Sequence, residues 1–561
     1  MADHGLSAGP LRGEDQAASR RELAAIFTLV LLALGLRLVD LGRLPLWEDE
    51  AATWWFATTL DGSLAEHAKV EPTPPLHYIL VGWVYEHLGR TDAWIRLPSA
   101  IFGALSVGAA YLFGRRLVSP TAGAWAALWL ALHPWHVFFS REARVYPLLL
   151  LLTLLLAWAV WIALEKDRRR DWIAVSALSA LALWSHFYGL FLGFTLGVAV
   201  LAFARSRRAR LRGLAALALA GLSFVPYLAT AIPHLRAGGS VWSVERIQEQ
   251  MPEMLHPARV AEGHALGARR SMLARGLYQP PTPDLIWLPA IVTQGVLVLL
   301  GLAVLLRTSA EDARRRGSYL LLLWLLPVLV PWLVSQLSRP VFHPGRHDFY
   351  VLGSSAIAVG TGLAVLGHLI AKRGWRRLAG RVAAISAVVV LMLAAAFRLA
   401  WLHVQPVDPR PRLVGAWLAQ HADPTTPIVA TGIRRALTER YLVLAGGDAS
   451  IESFPASTDR HPGWSDPFAL LERPEELAAE AEARARQLGL EGTSRIWVLP
   501  RPYPEDPATR RRMTTWLVDR HLFEGLAAAG FQAVSLDLPA DLEGQIQAFE
   551  QAGDRSAGEP P

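Results

Sequence analysis

The chain has 561 residues, of which 53% are hydrophobic, with 22 tryptophans, no cysteine and a formal net charge of +7. One water-soluble core cannot absorb so large an apolar share, and stretches of about 20 apolar residues recur from Leu23 to Leu402, so the sequence reads as a polytopic membrane protein. Without cysteine neither a disulfide framework nor thiol chemistry is available, and the basic residues lie in short clusters between apolar spans, a mark of membrane topology and not of a nucleic-acid footprint.

In chain order, residues 1–20 are polar and read as a disordered cytoplasmic leader. Arg20, Arg21 and Glu22 then lead into an apolar run longer than the core of a signal peptide, which makes it an uncleaved first span. About eleven spans are predicted, at 23–41, 97–114, 121–139, 147–164, 172–188, 189–204, 213–232, 284–306, 317–336, 349–370 and 382–402. With the N-terminus inside, this assignment puts the clusters at Arg20 to Arg21, Arg115 to Arg116, Lys166 to Arg170, Arg205 to Arg212, Arg307 to Arg316 and Lys372 to Arg381 on the cytoplasmic face. The loops 42–96 and 233–283 and the tail after Leu402 then lie outside.

The first outer loop opens on Trp47, Glu48, Asp49 and Glu50, and about twenty residues later runs through Glu71, Pro72, Thr73, Pro74, Pro75 and Leu76. Acids at a helix start also serve the unpaired N–H groups and the dipole of that end, so the triplet alone is a capping sequence as readily as a reactive one. In the chemical reading Asp49 is a general base that takes the proton of an attacking hydroxyl. Glu50 and Glu71 would orient the acceptor or help hold a divalent cation, for which clustered oxygen ligands are suited, although no spacing is diagnostic of a metal site. Trp47, Trp54 and Trp55 serve as interfacial anchors, and Pro74 with Pro75 fixes a rigid turn below Glu71.

Arginine is unexpected in short outer loops, yet Ser140, Arg141, Glu142, Ala143, Arg144, Val145 and Tyr146 connect the third and fourth spans. A second basic turn, between the ninth and tenth spans, holds Arg339, His343, Arg346, His347 and Asp348. The outer face of a bacterial membrane has no nucleotide-sugar pool, so a group-transfer enzyme there needs a donor carried on lipid. A polyprenyl phosphate meets that need, and its phosphate suits arginine. The blander reading has these arginines reaching to lipid headgroups, and Arg96, at the start of the second span, fits either reading, with anchoring preferred. His186 and Tyr188 are assigned to an aromatic belt. The tail, 403–561, reads as a small soluble α/β domain, with helix-like stretches such as Val414 to His421, short apolar runs at 427–429 and 496–499, and a disordered end from Ala552 to Pro561.

Four segments, LPLWEDEAATW at 44–54, EPTPPLHYIL at 71–80, RLPSAIFGAL at 96–105 and SREARVYPLLL at 140–150, resemble bacterial members of the protein O-mannosyltransferase and lipid A aminoarabinose transferase group, within the membrane-embedded C-type glycosyltransferase (GT-C) superfamily. The resemblance is strongest over the first 190 residues or so, weakens to about 370 and is absent from the tail. It implies a GT-C-like helical membrane domain and an inverting single displacement, in which a sugar passes from a polyprenyl-phosphate donor to an envelope glycolipid, a polysaccharide or a protein hydroxyl. The family's first outer-loop acid falls on Asp49, with Glu50 beside it, and its second acid on Glu71. A histidine frequent in the family is Thr73 here. Donor-phosphate binding falls on Arg141, Arg144 and Tyr146, and a later Arg-Tyr pair is loosely matched by Arg346 with Phe349 and Tyr350. The competing reading is a lipid-linked sugar flippase without chemistry, for which ionisable residues at mid-depth would be expected; spans two to nine are read as carrying none there. A third reading, a membrane-anchored binding module acting through the tail, would make the outer-loop acids dispensable.

Overall fold

Leu, Ala and Val dominate the apolar runs, and in lipid such a run must be helical, because every backbone N–H and C=O has to find its partner within the segment. The structure, a computed structural model, describes residues 20–59, 64–71, 73–237, 284–337, 341–342, 345–372, 376–405, 407–460, 473–500 and 514–551. The expected leader up to residue 19, most of the outer loop 233–283, Arg339, His343 and the stretch 552–561 lie outside the described residues.

The chain begins with α1 (Arg20–Leu38), followed by three short helices, α2 (Glu48–Thr59), α3 (Leu64–Val70) and α4 (Leu76–His87). Then come α5 (Asp92–Leu117), α6 (Pro120–Leu132), α7 (Pro134–Ser140), α8 (Tyr146–Lys166), α9 (Arg169–Ser185), α10 (Tyr188–Phe203), α11 (Arg207–Ala237), α12 (Asp284–Arg307), α13 (Glu311–Leu337), α14 (Leu352–Lys372) and α15 (Arg376–Val404). Among the described residues, six segments are long and apolar enough to cross a membrane: Asp92–Leu117, Tyr146–Lys166, Arg207–Pro233, Leu288–Arg307, Glu311–Leu337 and Phe349–His368. This is a multi-pass membrane protein. Of the other expected spans, the one at 121–139 is broken at His133, where Pro134 starts a new helix, and the one at 172–188 is a 17-residue helix headed by Arg169, Arg170 and Asp171.

Small residues set the closest approaches in the bundle. A Cβ on Gly123 of α6 would lie 2.6 Å from the Tyr111 carbonyl of α5, and one on Gly360 of α14 would lie 2.3 Å from the Ala122 carbonyl. Helix α6 is thereby held between α5 and α14, backbone against backbone, the form of packing that lipid-embedded helices favour. The main apolar core runs through Phe113, Trp135, Leu149, Trp161, Tyr319 and Ile357.

After α15 come α16 (Arg410–His421), β1 (Ile428–Thr431), α17 (Arg435–Leu444), β2 (Ile451–Phe454), α18 (Pro474–Leu490), β3 (Arg495–Leu499), α19 (Thr514–Ala528), β4 (Phe531–Val534) and β5 (Gln547–Gln551). The five strands form one sheet in the order β2-β1-β3-β5-β4. Strand β1 runs parallel to β2 and β3, while β5 pairs antiparallel with β3 and β4. Helix α17 packs on α2, α4 and the segment ahead of α2 through Ala436, Leu437 and Tyr441, which meet Leu46, Ala51, Trp54, Val81 and Tyr85. At the heart of this contact Asp92 is buried and accepts from Arg412 Nη2 at 2.9 Å, Arg440 Nη2 at 3.1 Å and the Tyr441 hydroxyl at 2.9 Å. The Tyr441 oxygen in turn accepts the Leu46 N–H at 2.6 Å, so the chain two residues ahead of α2 is fixed by the tail.

Candidate active site

Helix α2 starts at Glu48, so its first turn carries three acids where backbone N–H groups lack intrahelical partners and the helix dipole favours negative charge. Successive helical residues point about 100° apart, so the three carboxylates cannot share one environment. Glu50 turns inward and is 1% exposed. Its oxygens accept from Arg96 Nε at 2.7 Å, Arg96 Nη2 at 2.6 Å and the Ala143 N–H at 2.8 Å. Arg96 places its remaining donors on the carbonyls of Leu41, Leu44 and Pro45. Glu50 is thus the counter-ion of a buried Arg96, and Arg96 braces the 41–45 segment and is not a lipid anchor.

Asp49 faces the other way, with its side chain 18% exposed. One carboxylate oxygen lies 2.6 Å from Arg346 Nη2 and 3.5 Å from Arg144 Nη2. Arg144 Nη1 also reaches the Asp49 carbonyl at 3.0 Å, and Arg346 Nε donates to the Tyr146 hydroxyl. Both guanidinium groups lie over the Tyr146 ring, 5.8 Å away for Arg144 and 5.7 Å for Arg346. Burial opposes the charge on each arginine, but Asp49 and Tyr146 more than offset it and hold both above the usual arginine range. The result is one carboxylate, two fixed positive charges and a phenol in a single cluster.

Arg346 reaches this cluster from a turn that the sequence shapes locally. Gly345 sits at φ +79°, a left-handed conformation that favours glycine, and its N–H donates to Asp348 Oδ1 at 2.7 Å. His186 and Tyr188 line the same region and are not a lipid-facing belt. The His186 ring is 6.1 Å from Tyr146 and 5.8 Å from His347, and the buried Tyr188 hydroxyl donates to the Val341 carbonyl at 2.6 Å. Phe349 and Tyr350 turn into the core, Tyr350 donating to the Pro327 carbonyl at 2.6 Å, so the hydroxyl beside Arg346 is that of Tyr146.

Glu71 is buried and accepts the Thr73 N–H at 2.7 Å. Its loop is tied to α11 by the Tyr227 hydroxyl, which donates to the Thr73 carbonyl at 2.9 Å. Burial holds the Tyr78 phenol well above the usual tyrosine range, and the Glu71 and Arg144 charges both act on it. Next to it is a residue that sequence reasoning passed over, His77, which burial and the neighbouring Arg144 pull down to about 3, so its imidazole is neutral. The signal available was its place in the EPTPPLH segment itself.

Arg141 does not join the cluster. It donates to the carbonyls of Arg37 at 3.1 Å, Val39 at 2.5 Å and Asp40 at 3.3 Å, which closes the C-terminal end of α1. Burial and the nearby Arg96 charge pull it down to about 10. A second group missed by sequence reasoning lies behind it. Arg37 is fully buried, its Nη2 is 2.6 Å from His136 Nδ1, and His136 Nε2 is 2.9 Å from Ser106 Oγ.

A divalent cation fits this donor set poorly. Glu50 is used up, Asp49 lies between two arginines, and among the described residues no three His, Asp or Glu side chains are grouped to hold a metal ion.

Residues 72–230 match the model of the dolichyl-phosphate-mannose-protein mannosyltransferase family. In fold the chain is similar to ArnT from Cupriavidus metallidurans in the apo state, with a TM-score of 0.56 and 16% identity over 94% of this chain and 98% of that one. ArnT bound to undecaprenyl phosphate gives 0.55 and 14% identity, covering 96% and 99%. The archaeal oligosaccharyltransferase AglB from Archaeoglobus fulgidus, in complex with an inhibitory peptide and a dolichol-phosphate, gives 0.55 and 11%, covering 95% of this chain and 74% of that one. No curated protein sequence matches the chain.

Proposed function

We propose that this chain, which has the fold of the C-type membrane glycosyltransferases and matches the mannosyltransferase model over residues 72–230, transfers a sugar from a polyprenyl-phosphate donor to an acceptor hydroxyl at the outer face of the inner membrane. The observation that carries this reading is the convergence of Asp49, Arg144, Arg346 and Tyr146 from three separate segments of the chain. A carboxylate within reach of solvent can accept a proton, and two guanidinium groups beside it can hold a dianion. Arg144 Nε is a buried donor with no hydrogen-bond partner among the described residues.

In this mechanism the acceptor oxygen attacks the anomeric carbon while Asp49 takes the hydroxyl proton. The bond from that carbon to the phosphate oxygen breaks with its electron pair, and polyprenyl phosphate leaves as a dianion held by Arg144, Arg346 and the Tyr146 hydroxyl. A single displacement of this kind inverts the anomeric centre. Glu71 orients the acceptor. Arg141 and Glu50 take no part in the chemistry and hold the loop and helix that carry the reacting groups. In keeping with this reading we place the N-terminus in the cytoplasm, eleven helices across the membrane over residues 21–402, and residues 403–561 as a soluble domain on the outer face, seated on the helices that present Asp49.

The test is a transfer assay on purified protein with radiolabelled polyprenyl-phosphate sugars and a total envelope extract, run beside Asp49→Asn. Label entering an extract component with the wild type alone is the expected result. Absence of transfer from every donor, together with movement of lipid-linked sugar across reconstituted vesicles, would overturn the proposal in favour of a flippase.

A further inference from the structure

His186 ends α9, in the turn that leads into α10, and its ring lies 6.1 Å from the Tyr146 ring and 5.8 Å from that of His347. Its two nitrogens can be told apart on geometry alone. Nδ1 is 3.1 Å from the Tyr188 backbone N–H, which can only donate, so Nδ1 must accept. A neutral imidazole then carries its one proton on Nε2. A second proton, on Nδ1, would meet the Tyr188 N–H head on, and partial burial and the charges of Arg144 and Arg346 oppose it as well. Nε2 therefore presents an N–H, and among the described residues no group accepts from it. The ring is half-buried and leaves this nitrogen open to solvent. His347 is fixed the other way, its Nδ1 donating to the Val341 carbonyl at 3.0 Å in the neutral form, so of the two rings it is His186 that turns a donor outward.

The neighbours of this N–H select what it meets. Both guanidinium groups of the cluster lie over the Tyr146 ring, the same ring that His186 faces, and both of their charges act on His186. A donor beside two arginines and a phenol sits where the potential favours an anionic oxygen as its acceptor. Arg144 and Arg346 each commit donors to Asp49, and Arg346 commits another to Tyr146, so the arginines alone do not surround a phosphate, whose terminal oxygens are three strong acceptors. A neutral N–H adds a hydrogen bond there without adding a third positive charge, which the two arginines would repel while the site is empty.

We propose that His186 is a further donor-binding residue, whose Nε2–H donates to a terminal oxygen of the polyprenyl phosphate beside Arg144 and Arg346, with no proton transferred. This rests on the reading of the Asp49 cluster as the place where that phosphate binds. The test uses full-length protein in phosphatidylcholine nanodiscs with increasing undecaprenyl phosphate, binding being read from the rise in unfolding midpoint. Three variants separate the two nitrogens. His186→Phe keeps a ring and loses both, His186→Asn keeps a polar group near Nδ1, and His186→Gln puts its amide nitrogen about where Nε2 lies. Saturable binding by the wild type is expected, about tenfold weaker in the Phe and Asn variants and close to wild type in the Gln variant. An unchanged midpoint without lipid certifies the fold of each. Affinity restored by Asn and not by Gln would overturn the proposal, because the role would then be to hold the Tyr188 turn. Unchanged affinity in a folded Phe variant, or no saturable binding by the wild type, would overturn it too. Sugar transfer is assayed on the same wild-type sample. Transfer with unchanged affinity in the Phe variant defeats the His186 assignment alone, whereas the expected binding pattern without transfer upholds the assignment and defeats the transferase reading.

Discussion

Glu50 and Asp49 are joined by one peptide bond, yet Glu50 is 1% exposed, with both oxygens committed to Arg96 and the Ala143 N–H, whereas Asp49 meets two arginines at the rim of an accessible cluster. The loop that contacts them is divided in the same way. Arg141 closes the end of α1 and Arg144 faces Asp49, with only Glu142 and Ala143 between them. In each pair one residue is committed to the protein's own framework and the other faces the Asp49 cluster. A motif rich in acids and arginines is thus two motifs interleaved, one structural and one exposed, and its chemistry cannot be assigned to every member alike.

The sharpest way to break this comparison is to neutralise each acid in turn. Asp49→Asn should lower the transfer rate by about 10²–10⁴-fold, the usual contribution of a positioned base, while the unfolding midpoint changes little. Glu50→Gln should do the reverse, leaving the Arg96 charge buried without its counter-ion and destabilising the fold by about 3–5 kcal/mol in denaturant titrations. If both variants lost stability equally and kept their rates, the distinction would fail. The arginines give the next largest contrast. Arg144→Ala should weaken undecaprenyl phosphate binding by about tenfold to a hundredfold in a thermal-shift titration, as befits a lost charge-assisted hydrogen bond, and Arg141→Ala should leave that affinity unchanged.

The smallest effect concerns pH. His77 titrates at about 3 in the fold against an ordinary 6.5, so the unfolded chain binds this proton more readily. The stability linked to His77 is therefore complete above about pH 6.5 and declines as pH falls towards 3. His77→Phe should flatten that part of the profile of unfolding midpoint against pH, and an unchanged profile would remove His77 from the account.

The multi-pass architecture was legible because hydropathy and charge bias act on whole segments. Less legible were the breaks inside it. Pro134 is visible in the sequence, but apolar residues on both sides carried the prediction of one span across what is a break between α6 and α7. At the candidate site the segments that meet could be read and their facing could not. Neighbours on a helix diverge by about 100°, and which of Asp49 and Glu50 turns inward is decided by Arg96, 46 residues later. His186 and Tyr188 sit at a span end, where an aromatic belt is the ordinary expectation, and only the fold of the Gly345 turn brings His347 against them.

The buried carboxylate of Asp92 bears on how the protein is made. Its partner Arg440 lies 348 residues further along the chain, and Arg412 and Tyr441 belong to the same late stretch. At synthesis rates of about 5–20 residues per second, Asp92 leaves the ribosome roughly 20–70 seconds before the residues that neutralise it. A carboxylate without its cations stays hydrated, so the surface around it remains wet and open while the later helices are inserted. The seat of α2 can thus be sealed only once the chain has been made as far as Tyr441.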